Sequence, residues 1–197
     1  MEPYKKFLSK DPKLKLWLQN EIVIPSPSSN ITMALVNSIL AQQLSTRVAE
    51  VMRQRFLALF GNKAPKAQDI LRISQEQIRK IGISAKKAEY IHNVADFITA
   101  HKITNSKLAR MTDDEIIELL SEIKGVGRWT VEMILIFAMK REDVFAVDDL
   151  GIQKAMIKIF KLHDFSKKDL KLEMMRLSER WSPYRSYVCL HFWNYSG

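Results

Sequence analysis

Asp148 and Asp149 stand side by side where an apolar stretch, Val144-Phe145-Ala146-Val147, gives way to a helical pattern that starts at Leu150. One of the two should cap that helix, because an Asp side chain accepts from the unpaired N–H groups of a first turn. The helix N-terminus also favours a negative charge there. Held in a partly dry cleft, such a charge can stabilise a developing cation or orient a water molecule. Spacing alone does not choose between the two residues. One helix upstream lies Lys124-Gly125-Val126-Gly127-Arg128-Trp129-Thr130. Glycine permits positive φ and lets backbone approach backbone or a ligand. The free N–H groups of a helix starting near Arg128, with those of the glycines, form an anion site, and Lys124 and Arg128 add charge beside it. A contact of this kind suits a DNA phosphate and reads no base. The competing reading is a plain helix corner with a Gly cap. The flanking Lys and Arg and the aromatic Trp129 favour the phosphate. A second basic glycine turn, Lys80 to Lys87, is either another phosphate contact or a capped connection.

These residues must be positioned by helices, since almost every segment has a helical period and none alternates like a strand. Leu14, Trp17 and Leu18 fall on one helical face. Pro25-Ser26-Pro27-Ser28-Ser29-Asn30 reads as a loop. A long apolar-faced helix follows from Thr32 and bends or ends near Gln42-Gln43-Leu44, with Ser45 capping the next. That helix stops at Gly61-Asn62. Ser74 and Ser84 open helices, and Thr112-Asp113-Asp114-Glu115 is a capping box. Further helices are expected from Leu150 to Phe160, Lys168 to Trp181 and Tyr184 to about Trp193. The fold class read from this pattern is all-α, with short helices and short loops.

The 197 residues carry a formal net charge of +9, which favours a polyanionic partner, nucleic acid before membrane. Cys189 is the lone cysteine, which excludes an internal disulfide, a Cys-ligated iron–sulfur cluster and a Cys-rich zinc site. The first residues lack the apolar core of a signal peptide, and the Met133–Met139 run is too short to span a bilayer. An intracellular soluble protein is the simplest fit, cytoplasmic and associated with the nucleoid through DNA if the source is bacterial.

Four pieces of the chain together resemble the helix-hairpin-helix DNA glycosylase superfamily, and within it 3-methyladenine DNA glycosylase II of the bacterial alkylation-repair type. They are Ser38 to Ser45, then Gly82-Ile83-Ser84 with Lys87 to Ile91. The hairpin follows, running on to Asp143-Val144-Phe145 and Asp149-Leu150-Gly151. The last is Trp181 to Tyr187, continuing to Leu190-His191-Phe192-Trp193. They cover most of the chain after about Thr32. The resemblance implies a multi-helix glycosylase fold with a cleft between two halves: about residues 32–135, and 1–31 with about 136–197. It implies a single glycosylase unit without the additional N-terminal β-rich domain of larger relatives.

The resemblance also implies roles. Asp149 becomes the catalytic aspartate and Asp148 its neighbour. Lys124, Gly125, Val126, Gly127, Arg128 and Thr130 become the DNA-backbone contacts. Trp129 occupies the position where lyase-competent branches carry a nucleophilic lysine, so the enzyme is expected to be monofunctional, with water attacking and no Schiff base. A base inside a duplex must be flipped out. Gln43, then Leu44, is the expected wedge filling the gap. Trp129 and Trp193 are expected to wall the base pocket, core packing being their alternative, and Met133 stands where relatives often carry an aromatic. No cofactor is expected to be required. A monovalent cation, Na+ or K+, is implied on the backbone carbonyls of Ser121, Ile123 and Val126. The expected activity is release of alkylated purines from double-stranded DNA by a monomer, leaving an abasic site. A non-catalytic helix-hairpin-helix protein that binds DNA or senses lesions is the alternative.

Overall fold

The computed structural model describes residues 2–28 and 30–196, with side chains through residue 194. Ser29, within the expected loop, lies outside the described residues. Every regular element among the described residues is helical, so the chain is all-α. The described chain divides into two compact units, Met1–Ser26 with Leu135–Gly197, and Pro27–Ile134.

The discontinuous unit begins with α1 (Pro3–Leu8), whose proline occupies the first turn, where a missing N–H costs nothing. The expected helix around Leu14 to Leu18 is only turns and a 3-10 segment, Trp17–Gln19.

The continuous unit carries α2 (Ile31–Ala41), α3 (Thr46–Ala58), α4 (Ala67–Leu71), α5 (Gln75–Lys80), α6 (Ala85–Ala100), α7 (Asn105–Leu108), α8 (Asp113–Ser121) and α9 (Arg128–Met133). Its centre is α6, against which α2, α4 and α5 pack. Ala88, Ile91, Val94, Ala95 and Ile98 give α6 its buried stripe. The spacing is that of one helical face turned inward. Ser45, Ser74, Ser84 and Thr112 each accept a backbone N–H three residues on, so these helices start where the capping residues stand. A π-helical turn, Ile134–Ala138, follows α9.

The rest of the discontinuous unit holds α10 (Leu150–Phe160), α11 (Lys167–Ser178) and α12 (Arg185–Ser196). A 3-10 turn, Glu179–Trp181, ends the region read as one helix to Trp181. Trp181 is fully buried among Phe145, Phe160 and Phe192. Its indole N–H donates to Asp11 Oδ2 at 2.9 Å, which satisfies its one polar atom. Tyr4 of α1 stacks on Tyr187 of α12 with ring centroids 4.1 Å apart. Among the described residues no helix is long and apolar enough to cross a membrane.

Candidate active site and hairpin

The start of α10 is fixed by Asp149, the N-cap, whose Oδ1 accepts the Ile152 N–H at 3.0 Å. The same oxygen accepts the indole N–H of Trp193 at 2.8 Å. Two donors, one in the capped turn itself and one 44 residues along the chain from the acid, therefore converge on one carboxylate oxygen and fix its rotamer. Gly151 makes this approach possible. A Cβ there would lie 3.0 Å from Asp149 Oδ1 and 3.2 Å from Trp193 Cδ1. The indole face packs on Phe137, centroids 5.3 Å apart, and Phe137 is itself 42% exposed. Phe137 lies in the π-helical turn, and irregular turns of this type often mark functional sites. It went unread in the sequence because it sits in a continuous apolar run, where period alone identifies only core.

Asp148 is placed differently. Its carboxylate pairs with the Lys171 ammonium of α11, so the neighbour of Asp149 is neutralised by a partner. The segment leading to both is stitched to α12. Asp143 accepts from Arg185 Nε at 2.7 Å, from Arg185 Nη2 at 3.0 Å and from Ser182 Oγ at 2.7 Å. Burial alone would raise the Asp143 pKa, but the Arg185 guanidinium and Ser182 hydroxyl outweigh it and hold the carboxyl below its usual range. The Val144 N–H donates to Ser186 Oγ at 2.9 Å. Since α12 also carries Trp193, these contacts tie the helix bearing the indole to the strand-like segment before the acid.

The hairpin belongs to the continuous unit. Gly125 has φ +103°, and a Cβ there would meet the Tyr90 ring at 2.2 Å, so both conformation and packing demand glycine. Gly127 corrects the sequence reading, which gave both glycines the same cause. Its φ is −100° and a Cβ on it would meet nothing within 4 Å. The fold does not need glycine there. Open space beside the first N–H groups of α9 is instead what a close-approaching anion needs.

Val126 and Thr130, expected among the DNA contacts, are each 4% exposed. Their side chains belong to the core, which leaves only their backbone atoms for such a contact. Lys124 is exposed, and its ammonium rests on Glu89 Oε1 at 2.6 Å, which raises its pKa. Arg128 pairs through Nε with Glu132 at 2.9 Å, and Glu132 is 1% exposed. Trp129 is 40% exposed and Met133 half-buried, so both show side-chain surface. Exposure of a large indole at the start of a helix is unlike core packing.

Between α2 and α3, Gln43 is exposed with φ +58°, a left-handed conformation costly for a residue with a Cβ. Leu44 beside it is also exposed. Gln42 behaves otherwise: it is half-buried and its Nε2 donates to the Gly125 carbonyl at 3.2 Å. The tip of this turn is thus bonded to the hairpin through Gln42 and presents Gln43 and Leu44.

A family model described as HhH-GPD superfamily base excision DNA repair protein matches residues 36–183. The Bacillus subtilis protein YfjP is 32% identical over 81% of this chain, which spans 56% of that relative's length. Among solved structures, a DNA-3-methyladenine glycosidase from Bacillus halodurans superposes with TM-score 0.86 at 30% identity, covering 100% of this chain and 90% of the other. A 3-methyladenine DNA glycosylase from Schizosaccharomyces pombe, solved with abasic DNA, superposes with TM-score 0.83 at 28% identity, over 98% of this chain and 96% of that one.

Proposed function

This chain belongs to the HhH-GPD superfamily of base-excision DNA repair proteins, and from that premise we propose that it is a monofunctional glycosylase that removes alkylated purines from double-stranded DNA. The observation that carries the reading is the Asp149–Gly151–Trp193 constellation: a capping carboxylate held by an indole N–H across a gap that a Cβ at residue 151 would crowd.

The chemistry follows from the substrate. An N-alkylated purine is cationic and already a good leaving group, so its departure needs little acid catalysis. Its loss leaves an oxocarbenium-like sugar, and a fixed carboxylate stabilises that charge or aligns the attacking water. Asp149 takes this role. Trp129 stands where a lyase would need a lysine, so no Schiff base forms and the product is an abasic site. Its exposed indole, with Met133 one turn on, offers an electron-rich face to the cationic base. The sequence reading gave Trp193 the same duty. Its N–H on Asp149 adds a second one, holding the acid.

The hairpin would hold a phosphate on the N–H groups around Gly127, with Lys124 and Arg128 nearby. The carbonyls of Ser121, Ile123 and Val126 would hold a monovalent cation. Neutral hard oxygen donors suit sodium or potassium. Ile123 O already accepts the Val126 N–H at 2.9 Å, which leaves it a second lone pair. A cation there would add positive charge beneath the phosphate. Gln43 would fill the stack when the base leaves it. Monomeric action is part of this proposal.

The test is release of 3-methyladenine and 7-methylguanine from methylated duplex, with strand breaks appearing only after alkali. Asp149→Asn should lower release by about a hundredfold or more while leaving duplex binding in place. Full release by Asp149→Asn would remove the acid from the mechanism. Strand cleavage without alkali would remove the monofunctional assignment.

A further inference from the structure

One lysine of this basic chain has its ammonium turned onto backbone carbonyls at the end of another helix. Lys87, in the first turn of α6, donates from Nζ to the Leu40 carbonyl at 2.8 Å and to the Gln42 carbonyl at 2.8 Å. These are carbonyls at the C-terminal end of α2, where the helix has no partners of its own for them. A cation there also suits the helix dipole. Lys87 is half-buried, and burial lowers its pKa. Its neighbour Lys86 is exposed.

The bond to Gln42 O has a consequence for the next residue. The Gln42 carbonyl belongs to the peptide plane that enters Gln43. Rotating that plane out of its present setting would release Gln43 from φ +58°, and it would also swing the Gln42 oxygen off the ammonium. The residues flanking that plane are held as well, Gln42 by its side chain on Gly125 O and Leu44 by its N–H on Ala41 O at 3.1 Å. The helix that supplies Lys87 supplies the hairpin's supports too. Glu89 takes the Lys124 ammonium, Tyr90 fills the space over Gly125, and the Asn93 amide donates to the Lys124 carbonyl at 3.3 Å. The N-terminal half of α6 therefore supports both the turn bearing Gln43, through Lys87, and the hairpin, through Glu89, Tyr90 and Asn93.

We infer that Lys87 is a positioning residue for base flipping: its ammonium locks the peptide plane ahead of Gln43, so that the wedge is presented ready to enter the base stack. This rests on the reading of Gln43 as the wedge of a glycosylase.

The experiment compares wild type with Lys87→Met, which keeps the stem and loses the donors, and Lys87→Arg, which restores donors. Two duplexes are used, one with 7-methylguanine paired with cytosine and one with it opposite a mismatch that already weakens stacking. Lys87→Met should lower single-turnover release about tenfold on the paired duplex, the loss expected for a charge-assisted bond, and by less than about twofold on the mismatched one. Lys87→Arg should recover most of the loss. An equal fall on both duplexes, or none, would overturn the inference. Fluorescence of 2-aminopurine beside the lesion gives a readout independent of chemistry. Wild type should unstack the probe, and Lys87→Met should do so less. If wild type releases no base, the glycosylase reading fails and the fluorescence alone decides the role of Lys87. Should Lys87→Met fail to fold, Lys87→Gln takes its place.

Discussion

At the residue scale, the constraint nearest the proposed chemistry is the clearance at Gly151. Alanine is a better helix former than glycine by about 1 kcal/mol, and the position lies in the first turn of α10. A methyl there, however, would press on Asp149 Oδ1 and the edge of Trp193 at 3.0 and 3.2 Å. Contacts this tight make the acid or the indole give by a few tenths of an ångström, and either displacement strains the hydrogen bond between them. Gly151→Ala should therefore leave the melting temperature unchanged or raised while lowering methylpurine release by about tenfold or more. Parallel thermal melts and single-turnover assays would check it. A variant that kept full release would show that the indole need not touch the acid. Half of this site was legible in the sequence. A carboxylate before a helical pattern announces an N-cap. That Trp193 reaches it from another helix was not legible, because no local period encodes a contact across 44 residues.

At the element scale, the hairpin separates two glycines that look equivalent in sequence. Gly125→Ala places a Cβ inside the Tyr90 ring in a left-handed conformation. It should cost at least about 3 kcal/mol, since neither a ring nor a backbone φ yields cheaply. Gly127→Ala meets open space at an ordinary φ. Its stability should stay within about 0.5 kcal/mol of wild type, with duplex affinity falling roughly tenfold because the methyl stands where a phosphate would. Urea titrations and fluorescence anisotropy measure the two effects, and similar profiles for both variants would refute the division. Lys124 gives a related case. Its pair with Glu89 is exposed and screened by solvent, and a phosphate must compete with Glu89 for the ammonium. Glu89→Gln should bind duplex a few-fold more tightly at low salt and add about one to the salt slope. Weaker binding would mean that Glu89 orders the hairpin more than it screens it. The capped helices were readable because Ser45, Ser74, Ser84 and Thr112 act within three residues of themselves. Helix α4 was not, because its N-cap is Lys66, whose backbone N–H is met by Asp69 at 3.0 Å. Lys87 escaped notice for a different reason: a lysine in a basic turn reads as surface charge until its carbonyl partners are located.

At the scale of the whole molecule, stability should depend on pH through a group the proposed chemistry does not use. His191 is 3% exposed in α12, and its Nε2 has no hydrogen-bond partner among the described residues. Burial first, and then the nearby Lys5 charge, push its pKa from 6.5 down to about 4. Above pH 6.5 the imidazole is neutral in both folded and unfolded chains and contributes no pH dependence. Below that value the unfolded chain takes up a proton that the folded one refuses, so stability falls as pH falls, until the folded pKa is reached. The span from 6.5 to 4 corresponds to roughly 3 kcal/mol in the limit of full linkage. That is a large share of the stability typical of a small domain. Carboxylates such as Asp143, held below their usual range, also lose stabilisation in acid, but lower on the scale. The two contributions separate in a His191→Phe protein, which keeps a ring beside Tyr4 and cannot titrate. Denaturant melts at pH 7 and pH 5 should show wild type losing about 2 kcal/mol more than His191→Phe over that interval. Parallel losses in the two proteins would mean that His191 is protonated in the folded chain and that the acid sensitivity lies elsewhere.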